Sequence, residues 1–164
     1  LKGIKQFYIT CSNDEIKYDN LIEVFSSVEI TQCIIFVNTR EKCEYLANKM
    51  VDQGLAVSFI HSGLTMEERI GVVKPFRRGD ARILVSTDLL GRGIDIQQVG
   101  QVINFELPSE KEKYIHRVGR CGRHGRRGIA INLISKIEAN LMMDIEEYYD
   151  MEVSKLPEDF ADLD

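Results

Sequence analysis

Cys33-Ile34-Ile35-Phe36-Val37-Asn38-Thr39-Arg40 decides the fold. Five apolar residues, three of them β-branched, run into three polar ones, and a helical stripe follows in Cys43, Leu46, Ala47 and Met50. A second apolar run, Val57 to Ile60, comes next. An unbroken apolar run this short suits a strand covered on both faces, and the intervening stripe of period 3.6 supplies the covering helix. The same alternation continues through the runs Arg82 to Ser86, Gln101 to Phe105 and Ile129 to Ile134. Strand, helix, strand in repetition predicts an α/β domain built on a mainly parallel sheet flanked by helices.

Working outward, Leu21, Val24, Phe25 and Val28 form an earlier helical stripe. Met66, Ile70 and Val73 form a third, and Ile137, Leu141, Ile145 and Tyr148 a last one. Ile4 to Thr10 reads as a strand whose place in the sheet the pattern leaves open. Pro75 falls inside the third helix and removes a backbone donor, so a kink or an early end is expected there. In open α/β sheets the ligand side lies outside the C-terminal ends of the strands. Three polar loops occupy that position, Asn38-Thr39-Arg40, His61-Ser62-Gly63 and the stretch from Thr87 to Asp95. They are expected to converge on one surface.

The chain has 164 residues, enough for one domain with one conventional core. No apolar run approaches the length that spans a bilayer, and no leader-like opening is seen, so an intracellular location is expected. Leu1 rather than Met begins the chain, as expected of a segment of something longer. Cys11, Cys33, Cys43 and Cys121 are scattered without a C-x-x-C pair and read as small buried hydrophobes. The three histidines show no i, i+4 pairing with each other or with cysteine, so no metal site is expected. Net charge is −5, yet its distribution is uneven: Lys111 to Arg127 holds seven Lys or Arg against Glu112 alone. Glu138 to Asp164 holds ten acids against Lys155 alone. One basic strip in an acidic domain points to a localised anion site rather than a general nucleic-acid coat.

That strip contains His116-Arg117-Val118-Gly119-Arg120-Cys121-Gly122-Arg123-His124-Gly125. Arg117, Arg120 and Arg123 are three residues apart, with glycines running beside them. Guanidinium forks match phosphate oxygens, and glycine lets the backbone come close. Tyr114, Ile115 and Val118 make the first part an amphipathic helix. On pattern alone, a basic loop that binds RNA phosphates or a localisation receptor remains open.

The strip resembles motif VI of the DEAD-box ATP-dependent RNA helicases. Thr87 to Asp95 resembles their motif V, Ile34 to Thr39 their motif IV, Phe76-Arg77-Arg78-Gly79 the R-x-G element, and Val102 to Pro108 the segment before motif VI. All stand in the family's order. Ile96-Gln97-Gln98-Val99 and the ending from Leu156 to Leu163 are most similar to the initiation factor 4A group. The resemblance implies a RecA-like three-layer α/β/α fold over residues 1–164, the C-terminal half of an enzyme whose N-terminal ATP-binding half is not in this chain. It implies that ATP, with Mg²⁺ held mainly by that other half, sits between the halves, and that single-stranded RNA crosses both without sequence readout.

Carried to matching positions, the resemblance implies that Arg120 and Arg123 reach the γ-phosphate. Asp95 would bind the ribose with Gly93 beside it, and His116 would link nucleotide state to the RNA side. Arg117 would be an internal brace. Asn38, Thr39, Arg40, Gly63, Arg77, Gly79, Thr87, Asp88, Arg92 and Gly93 would line the RNA path. Two positions depart from the pattern: Gly91 replaces alanine in motif V, and Met66 replaces the glutamine of a Q-x-x-R element whose Arg69 remains. No G-x-x-x-x-G-K-[S/T] loop or D-E-A-D sequence occurs, so the segment by itself is expected to be inactive. A cytoplasmic role in translation initiation, with a helical-repeat scaffold similar to initiation factor 4G as partner, is the expectation. A nuclear RNA-processing relative or a scaffold-docking RNA-binding module without activity are the alternatives.

Overall fold

Every residue of Cys33–Phe36 (β2), Ile83–Ser86 (β4) and Gln101–Asn104 (β5) is buried, which requires cover on both faces of the sheet they share. The computed structural model describes residues 1, 3–89, 96–122 and 127–157. Among these, the remaining strands are Ile4–Thr10 (β1), Val57–Ile60 (β3), Gly128–Ile134 (β6) and Ser154–Lys155 (β7). The sheet order is β3-β4-β2-β5-β6-β1-β7, and every pairing in it is parallel. The opening strand, left unplaced by sequence, pairs with β6 along all seven of its residues and with β7 on its other side.

Among the described residues, five helices cover the sheet: Asp14–Ser27 (α1), Arg40–Asp52 (α2), Met66–Arg78 (α3), Lys111–Val118 (α4) and Lys136–Tyr149 (α5). Alternation along each strand divides the core into two layers. Cys33, Ile35, Ile103 and Ile131 face Tyr18, Leu21 and Val24 of α1 and Cys43, Leu46, Ala47 and Met50 of α2. Ile34, Phe36, Leu84, Val102 and Ala130 face Val73 and Phe76 of α3, Tyr114 and Val118 of α4, and Met142 and Ile145 of α5. This is the expected three-layer α/β/α arrangement.

Two stripes expected from sequence are corrected. In α3, Met66 and Ile70 are 49% and 43% exposed, and the inward side chains are Val73 and Phe76. In α5, Ile137 is 91% exposed and Tyr148 62%, while Met142 and Ile145 are buried. Apolar periodicity marks a candidate face, but packing selects which rotation of the helix meets the sheet. Pro75 neither ends α3 nor stops its last turn: the helix runs on to Arg78 and closes on Gly79 at φ 83. That left-handed cap is why glycine stands there. The four cysteines are free and buried, and burial pushes the thiols of Cys43 and Cys121 up to about 12, which makes them inert.

The crossovers leave β2 on one side to reach β3 and β4, and on the other to reach β5. The C-terminal ends of β4, β2 and β5 therefore meet where the winding reverses, the usual crevice of an open parallel sheet.

Candidate nucleotide and RNA site

Arg117 organises this crevice. It sits on α4, is 1% exposed, and spends all three guanidinium nitrogens on groups at three strand ends. Its Nε and Nη2 donate to the two carboxylate oxygens of Asp88, each at 2.8 Å. Nη1 donates to the Glu106 carbonyl at 2.6 Å and to Asn104 Oδ1 at 3.2 Å, and Nη2 also reaches Asn38 Oδ1 at 2.7 Å. The Phe36 ring closes over it, 5.2 Å from centroid to guanidinium carbon. The fork shape of arginine allows one side chain to hold the ends of β2, β4 and β5 against α4. The internal brace expected of Arg117 is what the geometry places there.

The bracing continues inward along a chain that sequence reading missed. Asn104 and Asn132 stand opposite each other in β5 and β6 and are joined at 2.8 Å. Asn132 donates to the Phe7 carbonyl and to Tyr114 Oη, which donates to Gln6 at 2.6 Å. Burial pushes the Tyr114 phenol well up, so it remains a donor. The one signal available was an asparagine at the end of β5 and another inside the otherwise apolar β6. Such polar groups survive burial only when satisfied.

On the outer side of the brace lies a cleft of about 60 Å³ lined by Ser86, Thr87, Asp88, Ile96, His116 and Arg120, among others. His116 is exposed one residue before Arg117 on α4. Arg120 donates to the Ile96 carbonyl at 2.9 Å, while its own carbonyl accepts from Val99 at 2.7 Å. A cleft this small is well short of the several hundred Å³ a drug-sized ligand fills. Its basic side chains fit the phosphate end of a nucleotide, as one wall of a site rather than the whole. Among the described residues, no cluster of three or more His, Cys, Asp or Glu could hold a metal ion.

The other expected residues divide into three groups. Asn38, Thr39, Arg40, Gly63, Thr87 and Asp88 gather at the C-terminal strand ends, as expected of converging loops. Within that group the side chains of Asn38 and Asp88 serve Arg117, and Asn38 also donates to the Leu107 carbonyl. Thr39 Oγ caps α2 by accepting from Lys42, and Arg40 Nε donates to Ser62 Oγ at 3.1 Å. Arg77 and Gly79 lie apart. They end α3 beside the start of the strands, where Gln32 donates to the Phe76 and Ala81 carbonyls. They do not join the group around Arg117. Arg92, Gly93, Asp95 and Arg123 fall outside the described residues, as does Gly91.

The helicase conserved C-terminal domain model matches residues 16–125, and the chain belongs to that family, among the DEAD-box proteins. It is 48% identical over 163 residues to the ATP-dependent RNA helicase eIF4A of Candida albicans, covering 99% of this chain and 41% of the relative. The chain thus spans about two fifths of the curated relatives it matches. The C-terminal domain of the DEAD-box protein Dbp5 superposes with a TM-score of 0.86 at 38% identity, covering 98% of this chain and 93% of that one. Saccharomyces cerevisiae Dbp5 bound to RNA and ADP BeF3 matches with a TM-score of 0.89 at 36% identity, covering 99% of this chain and 44% of that one.

Proposed function

We propose that this chain is the C-terminal half of an ATP-dependent RNA helicase resembling initiation factor 4A, and that it supplies the cationic wall of the ATP site together with part of an RNA path. The observation that carries the reading is the Arg117 brace. It fixes α4 so that His116 and Arg120 flank the cleft beside the loops bearing Asn38, Thr39, Thr87 and Asp88. The Dbp5 complex with RNA and ADP BeF3 supports the same pairing of ligands here. Arg120 and Arg123 would meet the γ-phosphate, Asp95 the ribose, and exposed backbone and hydroxyls of the strand-end loops the RNA, which holds a strand without reading it.

In phosphoryl transfer, charge moves onto oxygens as the bond breaks, so an arginine placed there stabilises the transition state more than the bound substrate. Since the phosphate loop lies outside this chain, hydrolysis requires closure of two halves, and RNA bridging both would favour it. Cytoplasmic translation initiation, with a helical-repeat partner similar to initiation factor 4G, is the process this reading implies.

The test is RNA-stimulated ATPase of the full-length protein carrying Arg120→Ala or Arg123→Ala, with folding followed by thermal melting. Turnover should fall roughly a thousandfold or more with the melting temperature kept. Arg120→Lys should not restore it, because an ammonium cannot reproduce the planar fork. Near-normal stimulated turnover in both alanine variants would overturn the arginine assignment and make the basic strip an RNA or partner surface instead.

A further inference from the structure

His61 follows β3 and is 4% exposed, yet it is no ordinary core residue, since both ring nitrogens are committed to opposite jobs. Nδ1 accepts the Gly63 amide N–H at 3.0 Å, and Nε2 lies 2.8 Å from Glu44 Oε2. An acceptor at Nδ1 and a carboxylate at Nε2 define the neutral tautomer with its proton on Nε2. The ring stacks on Phe59 at 5.6 Å, which leaves it little room to turn. Gly63 packs so closely that an added Cβ would stand 3.0 Å from the ring and 3.2 Å from the Arg40 side chain. The turn is held from two further sides. Arg40 donates to Ser62 Oγ, and Arg69 donates to the Ser62 and Leu64 carbonyls at 3.0 and 3.2 Å.

Resting on the reading of the strand-end loops as an RNA path, we infer that His61 is a positioning residue for the RNA strand. As the neutral tautomer it fixes the Ser62-Gly63 turn and, through it, the Arg40 guanidinium. Protonation at Nδ1 would turn the acceptor into a donor aimed at the Gly63 N–H, so the turn would be released. Glu44 of α2 would hold the resulting imidazolium, and Glu68 of α3 also feels the ring's charge. Arg40 of α2 and Arg69 of α3 oppose it. The grip on RNA is therefore set by the protonation state of a group that touches neither RNA nor nucleotide.

Two isosteric variants separate the ring's halves. His61→Asn places an amide oxygen near Nδ1 and keeps the acceptor. His61→Gln keeps only a donor near Nε2. In the full-length protein, the concentration of homopolymeric single-stranded RNA giving half-maximal ATPase is measured between about pH 8 and about pH 6. His61→Gln should raise it about three- to tenfold at every pH, with turnover at saturating RNA and KM for ATP unchanged. His61→Asn should match the parent at high pH, and the ratio of parent to His61→Asn should rise on acidification. Equal losses in both variants, or a constant ratio, overturn the inference. Ring ¹⁵N shifts of histidine-labelled protein give the tautomer without RNA, and a proton on Nδ1 at high pH overturns it too. A parent whose turnover ignores RNA, with the tautomer as stated, defeats the functional reading itself and with it the strand role, while leaving the ring geometry established.

Discussion

Arg117 places a guanidinium where almost no water reaches, and among the described residues Asp88 is its single ionic partner while Asn38, Asn104 and the Glu106 carbonyl accept from its other N–H groups. Such a group costs much to desolvate, and its gain depends on every partner being present. Removing it leaves the Asp88 carboxylate partly enclosed and three acceptors unpaired. Arg117→Met should therefore destabilise residues 1–164 by about 3–5 kcal/mol, read from the urea unfolding midpoint. Arg117→Lys should recover little of this, since one ammonium cannot span acceptors at three strand ends. Arg120 stands three residues further on in a half-buried position, and its alanine variant should behave oppositely, sparing the fold and losing turnover.

At the scale of the element, capping residues hold the helices, and two of them, Thr39 and Gly79, are expected ligand positions. Thr39 caps α2 through its hydroxyl oxygen, Thr65 and Glu68 form a reciprocal capping box at the start of α3, and Gly79 ends that helix. The Thr65 amide and hydroxyl hold the Glu68 carboxyl below its ordinary value. A cap and an RNA contact at Thr39 can be separated, because aspartate caps as well as threonine but repels phosphate. Thr39→Asp should leave the melting temperature nearly unchanged. It should also raise the RNA concentration for half-maximal ATPase of the full-length protein about fivefold, from ~1 kcal/mol of like-charge repulsion at close range in water. Unchanged RNA dependence would assign Thr39 to the cap alone.

At the scale of the whole molecule, Lys17 of α1 and Glu138 of α5 join the two faces of the sheet at its C-terminal edge. Lys17 is buried, donates to the Phe105 carbonyl at 2.8 Å and pairs with Glu138, which also accepts the amides of Leu107 and Ser135. Burial alone would raise the Glu138 carboxyl, but Lys17 and the two amides outweigh it and hold the value down. A carboxyl depressed in the folded state contributes stability that is full above its unfolded value and is lost as pH falls through the folded one. Glu138→Gln should thus unfold at lower urea than the parent near neutrality, and the gap should shrink below about pH 4. The segment 1–164 by itself should hydrolyse no ATP above background, because its sequence contains no phosphate loop. Turnover that survives repurification would reject that view.

The sequence by itself determined where most strands and helices fall, which face of α2 is buried, and that polar loops end the strands on one side. These follow from local rules, the two-residue period of a strand, the 3.6-residue period of a helix and the stop that polar residues impose. It also carried the ordered motifs that mark the family, with Arg117 as brace. Tertiary structure alone decided that β1 lies between β6 and β7, and that of the expected stripes on α3 and α5 Val73 and Ile145 are buried while Met66, Ile70, Ile137 and Tyr148 are exposed. It alone set Arg77 and Gly79 at the far end of the sheet. It also joined Arg117 to Asn38, 79 positions away, and Asn132 to Phe7, 125 positions away. Periodicity specifies a face but not its partner, and hydrogen bonds between residues so distant in the chain exist only once the packed layers bring their loops together.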